Sequence, residues 1–286
     1  MISYYLILLK SITQNETRMK TILFLLIFLT TGLIQDNSSV NVYRIETETG
    51  IEIHAENSNI YPVTVEYMVD YKNLKPSREL PLVQVLQPNS EQKLMEFEYS
   101  NLSEGWDYSS RYRYYMGDIS VRHYDSFAYR LPFPIGEEYL LTQGFNGAFS
   151  HQGELPHALD FAMPEGTPIY AARHGKVVMM EEGNSKGGPT AEFMEYANFI
   201  TVMHDDGTFA DYSHLKHRGV NVRVGQNVRM GQLIGYSGAT GFATGPHLHF
   251  VVKKAKRGGG FISIPVRFAT RQGIKELQAG ETYIGY

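Results

Sequence analysis

The sequence predicts an all-β protein in two parts, a small antiparallel β-sandwich followed by a second, strand-dense antiparallel module. Three observations lead there. Apolar and polar residues alternate in short runs, Pro, Gly and Asn break those runs, and helical periodicity is almost absent. At 286 residues the chain exceeds one typical domain, and its 43% hydrophobic content is that of an ordinary globular protein. A formal net charge of −4 gives no basic footprint for nucleic acid. Cysteine is absent, which excludes disulfides, thiolate metal sites and a lipid-modified cysteine, and leaves His, Asp and Glu as the strong metal ligands.

The N-terminal part, residues 1–36, reads as an export segment. Met19-Lys20 precedes an apolar stretch running to Ile34, and polar Gln35-Asp36-Asn37 follows. A positive start and an apolar core of about 13 residues fit a secretory signal better than a span of about 20. Met19 is then a candidate true start. An uncleaved anchor is the alternative, because no clean small-x-small cleavage site is present. Either way the protein is expected outside the cytoplasm, secreted or periplasmic, with no stable membrane span after processing.

From residue 40 to 130, Ile51–Ala55, Val63–Tyr67, Leu82–Leu86, Leu94–Tyr99 and Tyr112–Met116 read as half-buried strands of the sandwich. His54 and His123 stand alone there, and Trp106 is better used in packing than in a ligand surface. Pro132-Phe133-Pro134 marks the boundary to residues 131–286, where glycine is dense. Strands are expected over Thr167–Ala172, Lys176–Met180, Asn198–Met203 and Thr208–Tyr212, with one short helix around Gln272–Gln278. The polar segment from Glu181 to Ala197 is either a groove wall or a disordered insertion. Lys253–Arg257 reads as a solvated hairpin tip.

The chemistry concentrates in three places. Gly245-Pro246-His247-Leu248-His249-Phe250 is a turn entering a strand, and period-two alternation sets His247 and His249 on one face with Leu248 and Phe250 on the other. For an isolated His-x-His, two hydrogen-bonded histidines are the commoner explanation. Here two further clusters accompany it: His151, His157 and Asp160 lie close in sequence, and His214 follows a strand in Tyr212-Ser213-His214-Leu215. Nitrogen and oxygen donors converging from separate strands are what a three-ligand metal site with one open position requires.

These segments resemble the M23 zinc metallopeptidases, the lysostaphin-like or LytM-like peptidoglycan endopeptidases. Gly166-Thr167-Pro168 with Ala171-Ala172-Arg173, Asp206-Gly207-Thr208 with Tyr212–Leu215, Gly231–Gly235, Ser237-Gly238 with Thr240-Gly241, and Gly245–Phe250 occur in that family's order over residues 131–270. The resemblance implies a LytM-like antiparallel β fold with an open groove, one Zn²⁺ per chain, and peptidoglycan peptides as substrate. By position it implies Asp160 and His249 as zinc ligands, and His214 and His247 as catalytic groups facing the water that attacks the peptide bond. Many relatives place the first histidine four residues before the aspartate. Here His157 precedes Asp160 by three and His151 by nine, and the longer spacing resembles a subgroup in which His151 is the ligand, so His157 is the alternative. No His-Glu-x-x-His helix supplies a glutamate base, which leaves His214 and His247 for proton transfer and oxyanion stabilisation. Asn198 is either a substrate-orienting residue or a turn residue. The rival function is a catalytically silent wall-binding or amidase-regulating protein of the same fold; such relatives are expected to lack ligands, and every ligand position is kept here.

Overall fold

The computed structural model describes residues 10–12 and 39–286; of residues 1–36, expected to be an export segment, only Lys10–Ile12 is described, as a strand, and the rest lies outside the described residues. Among the described residues no helix is long and apolar enough to cross a membrane. The chain divides into two compact units between Met116 and Gly117. That division falls ahead of the break suggested by Pro132–Pro134, because Tyr129 and Leu131 are fully buried in the C-terminal core.

The N-terminal unit consists of two antiparallel sheets. One orders Val40–Glu46, Gly50–Asn57, Ser90–Tyr99 and Leu74–Pro76; the other orders Lys10–Ile12, Asp107–Met116, Val63–Lys72 and Leu82–Leu86. Alternate residues of Val40–Glu46 and Gly50–Asn57 point inward, and one core drawn from both sheets contains Val42, Ile53, Val65, Tyr67, Phe97 and Tyr112. Trp106 packs at its margin, where the Arg44 guanidinium sits 5.6 Å from the indole centroid.

The C-terminal unit is built on a nine-stranded antiparallel sheet. Its central strand His247–Ala255 lies between Phe209–Ser213 and Leu159–Ala162, with Gly175–Glu181 and Phe199–Met203 beyond one side and Glu138–Gln143 and Thr282–Ile284 beyond the other. Leu248, Phe250 and Val252 are fully buried beside Phe161, Tyr212 and Phe268, so one face of the central strand anchors the core and the opposite face is left for polar work. Register fixes that polar row: His249 pairs with Asp160 on one neighbour and with Ser213 on the other, and His214 is the next residue. Smaller sheets flank the large one, including Pro168–Tyr170, Leu233–Ser237 and Leu215–Val220.

The helix expected around Gln272–Gln278 does not form. Gly273–Lys275 is a strand paired with Arg267–Thr270, because Gly273 has φ +106° and the Thr270 hydroxyl both donates to the Gly273 carbonyl and accepts from the Gln272 amide, closing a tight turn. The helical turn among the described residues is instead a 3₁₀ segment, Ala191–Tyr196.

An ion pair lies inside this unit. Arg173 and Asp206, with side chains 1% and 0% exposed, meet at 2.8 Å. Asp206 also accepts from Thr208 N and Oγ1 and from Tyr124 N, while the guanidinium lies 4.4 Å from the Phe127 ring centroid.

His204 is a second buried titratable group, with Nδ1 donating to the His174 carbonyl at 2.8 Å. Burial pushes its pKa down to about 3. An unfolded histidine takes up a proton near pH 6.5, so between about pH 6.5 and 3 the unfolded chain binds more protons and stability falls as pH is lowered. One such proton contributes a slope of up to about 1.4 kcal/mol per pH unit. Urea unfolding at pH 7, 6 and 5 is expected to show this loss, and His204→Asn, which retains an N–H for the carbonyl, is expected to flatten it; an unchanged slope in the variant contradicts the assignment.

Candidate metal centre and groove

His151, Asp160 and His249 converge, each offering one donor atom within 4.8 Å of the other two. His151 is 1% exposed, and its Nδ1 donates to the Gly144 carbonyl at 2.7 Å. That tautomer leaves Nε2 as a bare lone pair, buried without a hydrogen-bond partner and 3.1 Å from Asp160 Oδ2. A lone pair held against a carboxylate oxygen is unfavourable unless a cation stands between them. His249 Nδ1 approaches Asp160 Oδ1 at 2.8 Å. Two imidazoles and an ionised carboxylate are a donor set suited to Zn²⁺.

His214 and His247 stand beside this trio with ring centroids 4.6 Å apart. His247 Nδ1 donates to the Gly245 carbonyl at 2.8 Å and His214 Nδ1 to the Thr240 carbonyl at 2.7 Å, so in both rings Nε2 is the nitrogen left for other chemistry. Burial, followed by the neighbouring His247 and His249, pushes the His214 pKa down to about 3 and keeps the ring neutral. His214 also has φ +63°, a left-handed backbone that costs a non-glycine residue about 1 kcal/mol. His214→Gly is therefore expected to be more stable than His214→Ala by about 1 kcal/mol in urea unfolding, although both lack the imidazole. Equal stabilities would show that the backbone there is unstrained.

His157 is not brought into the cluster. Its backbone N–H donates to Ser263 Oγ at 3.1 Å, its Nδ1 donates to the Ser263 carbonyl at 2.9 Å, and its ring meets Phe145 edge-on. Asn198 is fully buried and is not among the residues lining the groove. Its amide accepts from Asn184 N at 3.0 Å and donates to the Asn184 carbonyl at 2.8 Å, while its backbone N–H donates to Thr240 Oγ1. Asn198 thus links the 182–197 segment to the residue whose carbonyl orients His214.

That segment is an ordered wall. Gly187–Gly188 runs parallel to Gly241–Phe242, and a Cβ at Gly187 would lie 1.8 Å from the Ala239 carbonyl oxygen, so only glycine permits the approach. Met194 of the 3₁₀ turn lines a groove of about 480 Å³ together with Leu155, Pro246, His214 and His247. Phe149 and Phe242, from two different lining segments, stack with centroids 5.5 Å apart. Reading the sequence missed this pair and Gln143; none carries a signal in its local pattern, since each acts only once distant segments meet.

Residues 154–259 match the model of peptidase family M23, a stretch holding Asp160, His214, His247 and His249 in the order the motifs suggest. That stretch is similar to peptidase family M23. Lysostaphin of Staphylococcus simulans is 40% identical over 99 residues, covering 34% of this chain and 18% of its own. Peptidoglycan DD-endopeptidase ShyA of Vibrio cholerae is 35% identical over 122 residues, covering 41% of this chain and 26% of its own. The chain therefore spans less than a third of the length of these curated relatives. The solved catalytic domain of S. simulans lysostaphin is 32% identical over 41% of this chain and 78% of that domain, with a TM-score of 0.29.

Proposed function

We propose that the M23 module is a zinc-dependent endopeptidase that hydrolyses peptide bonds in peptidoglycan stem or cross-bridge peptides, acting outside the cytoplasm after export on the Met19–Ile34 segment. The observation that carries this reading is the buried, unpartnered Nε2 of His151 aimed at Asp160 beside His249. His151, Asp160 and His249 are the residues that would hold the ion, with His151 favoured over His157 because the latter is bound to Ser263. When bound, Zn²⁺ supplies Lewis acidity, which makes water nucleophilic near neutral pH and polarises a scissile carbonyl.

The chain's own residues supply the rest. His214 and His247 stand beside the donor trio with Nδ1 held by backbone carbonyls and Nε2 left over, positions from which they accept a proton from attacking water, stabilise a developing oxyanion once protonated, and return the proton to the leaving amine. The Gly144, Thr240 and Gly245 carbonyls fix the tautomers of His151, His214 and His247 in turn. The groove accepts an extended peptide between the 182–197 wall and the segment carrying Phe149. The names of the relatives support peptidoglycan as substrate, one being a peptidoglycan DD-endopeptidase.

The test is metal analysis of the purified protein combined with mass spectrometry of fragments released from defined muropeptides. About one Zn²⁺ per chain and chelator-sensitive fragment release are expected. Wall binding without release, unaffected by chelation, would instead make the module a regulator or adaptor.

A further inference from the structure

Gln143 belongs to none of the motifs, yet it occupies the same cross-strand row as the donor atoms. A bulge between Leu141 and Gln143 shifts the register of Glu138–Gln143 against Leu159–Ala162, so that Gln143 rather than Thr142 stands opposite Asp160, which in turn stands opposite His249. Bulges re-aim side chains in this way. The Gln143 amide is engaged at both ends. Its Nε2 donates to Asp160 Oδ2 at 2.7 Å and to Ser150 Oγ at 2.8 Å, and its Oε1 accepts from Phe149 N at 3.0 Å and Ser150 N at 3.3 Å. One side chain therefore holds the carboxylate of Asp160 and the backbone of the loop that delivers His151. The loop is shaped to receive it: a Cβ at Gly147 would lie 2.2 Å from Gln143 Cγ and 2.8 Å from its Oε1.

We propose that Gln143 is a positioning residue of the metal centre, setting the orientation of the Asp160 carboxylate and the placement of His151 together. This rests on the zinc reading above. The Nε2 hydrogen bond immobilises Oδ2 and limits rotation of the carboxylate, while the two bonds to Oε1 prevent the Phe149–His151 backbone from drifting away from it. A ligand set arranged in advance binds its ion without first being ordered, so losing the amide should appear in metal affinity before it appears in stability.

The experiment uses the full chain, stripped of metal and titrated with Zn²⁺ against a chromophoric chelator, and separately loaded with Co²⁺ for its visible absorption spectrum. Gln143→Met keeps the length of the side chain and removes every hydrogen bond; Gly147→Ala leaves Gln143 intact and displaces it. Each is expected to weaken Zn²⁺ binding about 10–100-fold and to alter the Co²⁺ bands. The thermal midpoint of the metal-free protein should move little. Parent-like affinity and an unchanged Co²⁺ spectrum in both variants would overturn the role of Gln143 alone, as would an affinity loss fully accounted for by unfolding of the metal-free variants. Should Gln143→Met fail to fold, Gly147→Ala decides. If the parent itself binds no Zn²⁺, the zinc reading falls first, and the inference falls with it.

Discussion

Replacing His249 with alanine is expected to remove stoichiometric Zn²⁺ and to lower muropeptide cleavage by about 10³-fold or more. A Lewis acid contributes several kcal/mol to the transition state, and each tenfold in rate corresponds to about 1.4 kcal/mol. His249 is the middle of the row joining Asp160 to Ser213, and its Nδ1 lies 2.8 Å from the carboxylate, so truncation removes a donor and leaves Asp160 with a vacated side. The fold is expected to survive, because Leu248 and Phe250 carry the packing of that strand on its other face. Metal content by mass spectrometry and fragment release from the same sample check both halves. Full activity in a metal-free His249→Ala protein would refute the proposed mechanism.

The largest expected effect on stability lies away from the groove, at Asp206. Asp206→Ala strips the buried Arg173 guanidinium of its anionic partner at 2.8 Å, and breaking such a pair from one side costs about 3–5 kcal/mol. For a unit of this size that corresponds to a fall in Tm of roughly 10 °C, readable by calorimetry. Hydrogen bonds from Thr208 and Arg173 outweigh burial and hold the Asp206 carboxyl at about 2. Its folded pKa lies below the unfolded value, so this contribution is complete above about pH 4 and is lost as pH falls toward 2. The double replacement Arg173→Met with Asp206→Leu removes both charges and is expected to recover much of the loss. A single variant as stable as the parent would mean that solvent already reaches the pair.

The polar face of the central strand was legible because strand period is 2: with Leu248 and Phe250 inside, His247 and His249 had to share the opposite face. Asp160 was read from its nearness in sequence to His151 and His157 and from the family resemblance; that it stands in a short apolar strand is visible only in the fold. His151 against His157 was not decidable from spacing alone, since the partner that retains His157, Ser263, lies 106 residues away. The same holds for Gln143, whose place depends on a bulge that no residue pattern announces. Helix formers in Gln272–Gln278 pointed to a helix, but the left-handed Gly273 and the Thr270 hydroxyl impose a hairpin on that local preference.

The two-glycine ladder between Gly187–Gly188 and Gly241–Phe242 has an engineering consequence. Residues 182–197 are tied by their middle to the turn leading into the His-x-His strand and by Asn184 to Asn198, while the great sheet lies outside their span. Exchanging only the outer arc, from Thr190 to Tyr196, would alter one bank of the channel and leave both moorings in place. That arc is the natural graft point for changing what the groove admits.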